Sequence, residues 1–312
     1  MALYQLVSLA LMFAQGPSLA DIEKRAQALA ADRTWSPATN EKRAELNQEI
    51  LKLVDSNTLK SGEEFRRAAN SVQYADTRLI EARMRYELMF TAMVLGDVEG
   101  AKGIRFHWDA FVMATGRPQR LGSQMSFQGM QAEKFKVQPS VTCVQTVLGD
   151  PVQARKDAAS LKPNAELKAL VDEDQKARQG DWSKLTQEQL IAITKEDEKR
   201  QAQLKETLKG IKLMTAEDYH AAALVMQHGS WFEDYALAHE LALCSTILDP
   251  KVGRQLVALT YDRMLESAGY LQRFGTQYHG VTLSPVDSSG FNDVMRTSFG
   301  RQPLADVKKR LG

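Results

Sequence analysis

A stretch of the form G-x-x-Q-R-φ-G-[ST]-Q, with φ apolar, occurs twice in this chain. It reads Gly116-Arg117-Pro118-Gln119-Arg120-Leu121-Gly122-Ser123-Gln124 and again Gly269-Tyr270-Leu271-Gln272-Arg273-Phe274-Gly275-Thr276-Gln277. Corresponding residues lie 153 apart (Gln124 to Gln277), and the same offset pairs Glu87-Leu88 with Glu240-Leu241 and Asp109 with Asp262. A motif that keeps register with its surroundings over such a distance implies a tandem duplication. The repeat is too long for a solenoid unit of roughly 20–50 residues. Either two related domains face each other or one pseudo-symmetric bundle is formed.

Helix signals recur in the same order in both halves. Ser61-x-x-Glu64 and Thr215-x-x-Asp218 are capping boxes, in which a hydroxyl and a carboxylate satisfy free amides at a helix start. Helices are expected from Thr77 to Leu95 and from Val98 to Thr115, and again from Phe232 to Leu248 and from Pro250 to Ala268. The later helix of each pair is closed by a glycine, Gly116 or Gly269. From Met125 to Leu148 the pattern blurs, and Ser140-Val141-Thr142-Cys143-Val144 leans toward a short strand in an extended connector. The expected fold class is all-α: duplicated antiparallel helical bundles in a pseudo-two-fold relation. The expected divisions are a leader over 1–20, a diverged first repeat over 21–148, a linker over 149–163, a second repeat over 164–280 and a helical tail over 281–312.

Lys and Arg total 40 against 39 Asp and Glu, so no basic surplus points to nucleic acid as a partner. The apolar run from Leu3 to Ala14 precedes a small-x-small site at Ser18-x-Ala20 and resembles an export signal, although its start lacks Lys or Arg. The plainer reading is a first apolar helix packed on the domain. An export signal would place the mature chain in the periplasm or outside the cell, with no membrane span. Cys143 falls in a loop-like segment and Cys244 on an apolar helix face, which makes a disulfide framework unexpected and Cys244 a core residue.

The two copies separate what both halves keep from what one half keeps. Shared polar positions are Glu87/Glu240, Asp109/Asp262, Gln119/Gln272, Arg120/Arg273 and Gln124/Gln277. They read either as ties between the post-helix loop and exposed carbonyls, or as a pocket in which Arg273, Gln272 and Gln277 contact a substrate. Unshared are Gln227-His228-Gly229 and Ala238-His239-Glu240, where the first half has Gln73-Tyr74-Ala75 and Arg85-Tyr86-Glu87. A helical hairpin would bring His228 and His239 near Glu240 and Asp262, a set suited to general acid/base work or to a metal. The same exchange of histidine for tyrosine also fits ordinary packed positions. No zinc spacing, P-loop, nucleophile elbow or dinucleotide fingerprint is present, and no cofactor is expected. Trp108, Trp231, Phe232 and Tyr235 read as core or staple residues.

Gln227-His228-Gly229, Glu233-Asp234-Tyr235, Ala238-His239-Glu240-Leu241-Ala242, Asp262-Arg263 and Gln272-Arg273-Phe274-Gly275-Thr276-Gln277 resemble the signature of the bacterial domain-of-unknown-function family numbered 6624. Glu173-Asp174-Gln175 and the stretch from Asp197 to Arg200 fit its earlier part, so the resemblance covers about Ala165 to Gln277. The first half is similar to a diverged copy without the Q-H element. The resemblance implies a domain but carries no activity. The functional expectation is a module that binds a small molecule or a protein. The alternatives are a hydrolase using His228, His239, Glu240 and Asp262, or a metal-binding protein.

Overall fold

The computed structural model describes residues 17–32, 34–75, 77–128, 131–179 and 184–309. The apolar run of the expected leader lies outside them. The chain is mostly helical, with two small antiparallel hairpins. Helices α1 (Leu19–Ala31), α2 (Pro37–Asp55), α3 (Gly62–Ser71), α4 (Arg78–Val94) and α5 (Val98–Ala114) are followed by strands β1 (Met125–Gln128) and β2 (Gln131–Lys134). Helices α6 (Thr142–Gly149) and α7 (Pro151–Ala158) come next, the latter inside the expected linker. The second half runs α8 (Ala165–Lys176), α9 (Gln187–Leu208), α10 (Ala216–Met226), α11 (Phe232–Leu248) and α12 (Pro250–Ser267). It closes with β3 (Tyr278–His279), β4 (Thr282–Leu283), α13 (Asp293–Ser298) and α14 (Leu304–Lys309). No helix among the described residues is long and apolar enough to cross a membrane.

Local chemistry explains where the helices begin and turn. Ser61 and Thr215 both form their capping boxes, and Ser18 caps α1 in the same way with Asp21. Cleavage after Ala20 would therefore remove a working cap. Gly116 and Gly269 sit at φ 83° and 80°, the left-handed region that lets each long hairpin end and the repeated stretch begin. Within the α11–α12 hairpin, a Cβ on Gly253 would lie 2.4 Å from the Thr246 amide nitrogen, so only glycine allows the two helices to approach this closely.

The expected strand at Ser140–Val144 is instead the entry to α6. Cys143, Val144, Val147 and Leu148 are all buried at helical spacing, and their packing overrides the β preference of the valines and threonine. Cys143 is thus helical and buried rather than in a loop, and Cys244, as expected, lies in the core; both thiols are free. Trp108 is fully buried, whereas Trp231 at the start of α11 is largely exposed.

One hydrophobic cluster runs through both halves, from Ile22 to Phe299. Its centre is a set of stacked and edge-on rings: Tyr86, Phe90, Trp108 and Phe111 from the first half meet His239, Tyr261, Phe274 and Phe299 from the second. The segment after each repeated stretch crosses to the opposite half. Helix α6 packs on α11, and α13 packs on α4. The C-terminal segment is held there by Asn292, whose amide donates to the Val54 carbonyl, and by the ion pair of Arg83 with Asp287.

Candidate functional site

The repeated stretches are clasped by a buried aspartate on the preceding helix. Asp109 accepts from the amides of Arg120, Leu121 and Ser123 and from the Ser123 hydroxyl, at 2.7–2.8 Å. Asp262 accepts from the amides of Arg273, Phe274 and Thr276 and from the Thr276 hydroxyl. Burial pushes the Asp262 carboxyl up, and these donors pull it back. Each stretch is also closed by a glutamine. Gln119 and Gln272 accept from the amides of Gln124 and Gln277 and donate to the carbonyls of the same residues. Their second bonds reach Phe135 and Ser284 in the segments that follow.

The arginine held by each loop points into the other half. Arg120 forms a two-pronged pair with Glu240, its Nε and Nη2 lying 2.8 and 3.0 Å from the two oxygens. Trp108 Nε1 and the Ser140 hydroxyl donate to the same carboxylate. Arg273 Nη2 donates to Glu87 at 2.9 Å, with Nε at the same distance from the other oxygen but out of hydrogen-bond alignment. Tyr261 donates its hydroxyl to Glu87, and Arg273 also reaches the Asp287 and Ser289 carbonyls. Trp108 and Tyr261 are themselves 153 apart. Neither glutamate touches solvent to any extent, and every oxygen has a protein donor.

His239 lies between these pairs, fully buried. Its Nε2 is 2.5 Å from the hydroxyl of Tyr86, the residue 153 positions earlier, and its Nδ1 faces Thr260 Oγ1. The Thr260 hydroxyl proton goes to carbonyls of its own helix, so Nδ1 carries the ring proton and Nε2 accepts from Tyr86. Burial lowers the imidazole pKa to about 3.

His228 is elsewhere, on an open cleft of about 430 Å³ lined by Arg178, Asp197, Gln227, Gly229, Tyr235 and Arg263. Its Nδ1 donates to Asp174, and its Nε2 accepts from Arg178 Nε at 3.0 Å. Burial keeps it neutral more strongly than Asp174 favours its charge. Arg178 continues to Asp197, and Arg200 bridges Asp197 and Asp174. Arg263 donates to the Gln227 carbonyl and the Gln277 Oε1, both uncharged, and has no ion-pair partner among the described residues. Burial pulls its pKa down, helped by the charge of Arg178 and opposed by Tyr235 and Glu266. Beside it, the buried Oε1 of Gln227 has no hydrogen-bond donor.

The expected catalytic set is therefore not one site. No hydrogen bond joins any two of His228, His239, Glu240 and Asp262 among the described residues; each is engaged by a different set of partners. The hairpin does not unite the histidines because His239 faces Tyr86 across the core, while His228 faces α8. Of the expected substrate contacts, Arg273 and Gln272 are consumed by the loop and the ion pair, and Gln277 reaches the cleft through Arg263. Sequence reasoning did not name Arg178 or Tyr235 as site residues, nor Asp174, Asp197, Arg200 and Arg263. Five of these, Asp174, Asp197, Arg200, Tyr235 and Arg263, were visible in the stretches that carry the family resemblance. No group of three His, Cys, Asp or Glu side chains among the described residues is placed to hold a metal ion. Compared with known proteins, the chain matches no family model, no curated protein and no solved structure.

Proposed function

We propose that this protein is a non-catalytic binding module, built from two helical repeats interlocked about a pseudo-two-fold axis, that holds a small polar ligand with an anionic group in the cleft at His228. The observation that carries this reading is Arg263. A guanidinium that is mostly buried, forms no ion pair among the described residues and lines an open cleft leaves a positive charge for a ligand to neutralise. Pseudo-symmetry is supported by contacts that recur at an offset of 153, with each arginine crossing to the other repeat's glutamate. The near-neutral charge favours a small molecule or protein over nucleic acid. Export and membership of the resembled family belong to the same reading.

Catalysis is disfavoured by the occupied lone pairs. A general base needs a free one, and His228 and His239 both spend Nε2 on a protein donor. The Asp174–His228 bond nevertheless orients a ring as hydrolases do, and the two readings separate experimentally. Thermal unfolding is followed with phosphate, sulfate, acetate and citrate at millimolar concentrations. Stabilisation by at least one anion, lost in Arg263→Met, is the expected result. No stabilisation by any of the four, or stabilisation that survives Arg263→Met, contradicts it. Ester hydrolysis abolished by His228→Ala would put the hydrolase in its place.

A further inference from the structure

The first half has its own cleft at the place that corresponds to the His228 cleft, and its chemistry is different. It has a volume of about 360 Å³ and is lined by Trp35, Tyr74, Ala82, Ala110, Met113 and Phe135, with Arg78, Gln124 and Met125 also on its wall. Ala82, Ala110 and Gln124 are 153 residues before Tyr235, Arg263 and Gln277, and Tyr74 is 154 before His228. Where the second half places a phenol and a guanidinium, the first places two methyl groups. The space those large side chains would occupy is left open, and the floor becomes apolar.

The rim is apolar too. Trp35 is 66% exposed, and Met125 and Phe135 are each 43% exposed. Single exposed apolar side chains are common on any protein, but three gathered on the wall of one cavity form a patch that a ligand can cover. Arg43 stacks at 4.5 Å on the ring of Trp35 and is tied to the Asp32 carbonyl and Asn40, which holds the indole in place. Among the described residues no Asp or Glu lines the cleft, whereas Arg78 does. Arg85 lies 5.0 Å over the ring of Tyr74 with a buried Nε that has no acceptor. Neither Arg78 nor Arg85 has an ion-pair partner among the described residues. Apolar walls beside unneutralised guanidinium groups complement one chemical class: a molecule with an apolar body and a single anionic head.

We infer that this cleft binds a small amphipathic organic anion, such as an acyl or aromatic acid, with its body against Trp35, Tyr74, Met113 and Phe135 and its head at Arg78. The site is independent of the anion cleft at His228, since the two share no lining residue.

The full chain is titrated with 8-anilinonaphthalene-1-sulfonate, followed by probe fluorescence, and then with decanoate as competitor. Saturation at one site per chain and displacement by decanoate are expected. Ala110→Arg installs the second half's residue in the cleft and is expected to weaken both ligands at least tenfold. Trp35→Ser and Arg78→Glu change exposed side chains without touching the core, and each is expected to weaken decanoate about tenfold. Trp231→Ser, which changes an exposed indole outside the cleft, leaves both affinities unchanged. The inference is overturned if probe binding does not saturate, if the rim variants bind as the wild type does, or if decanol competes as well as decanoate. It is also overturned if the chain sediments as a dimer that Trp35→Ser dissociates, because a second copy would then be the occupant.

Discussion

Glu240 shows what the shared residues are for. It sits in the core with four donor atoms on its carboxylate, Arg120 Nε and Nη2, Trp108 Nε1 and Ser140 Oγ, so nothing of it is left for a substrate. Removing one member of such a pair strands the other, at a cost of about 3–5 kcal/mol, while replacing both with apolar residues is often near neutral. Glu240→Ala is therefore expected to lower the unfolding free energy by that amount, and Arg120→Met combined with Glu240→Leu by clearly less, in urea titrations. Equal losses would mean that the pair does not set the cost. His239 makes a second prediction. Its folded pKa is about 3, below the unfolded value of about 6.5, so between these the unfolded chain binds a proton that the native chain does not. The stabilisation is complete above pH 6.5 and is lost as pH falls toward 3, at up to about 1.4 kcal/mol per pH unit. In His239→Gln the slope of stability against pH over this window should be shallower by about one proton. An unchanged slope would show that His239 is not held neutral.

The helical elements were legible in the sequence because their signals are local. The capping residues Ser61 and Thr215, the glycines that end α5 and α12, and the apolar faces all act within a few residues. Helix α6 was not legible, because Val141, Thr142 and Val144 favour a strand until the pocket against α11 decides otherwise. Nor was the His228 cleft, whose walls come from α8, α9, the end of α10, α11 and α12 and meet only in three dimensions. Trp108 and Tyr261 could have been found, since they stand next to Asp109 and Asp262 at the repeat offset. The α11–α12 hairpin yields a prediction at this scale. Gly253→Ala forces a methyl group against the Thr246 backbone, and overpacking of this kind costs roughly 1–3 kcal/mol. Thermal unfolding of that variant should show the loss, and a wild-type midpoint would mean the helices can part without cost.

At the scale of the whole molecule, the repeated stretch acts as an interlock. Its aspartate and glutamine fix the loop, the fixed loop aims an arginine, and that arginine meets a glutamate of the other half. The following segment then crosses as well, so neither half completes its core alone. The proposed function falls to the surface clefts, where the two halves differ in their lining. Hydrogen exchange of the full-length Glu240→Ala variant, read by mass spectrometry under conditions where exchange reports opening free energies, tests the interlock most directly. Protection is expected to fall by a similar amount in α4 and α5 of the first half and in α11 and α12 of the second. Loss confined to α11 and α12, with α4 and α5 as protected as in the wild type, would show two halves that stand separately and would contradict it.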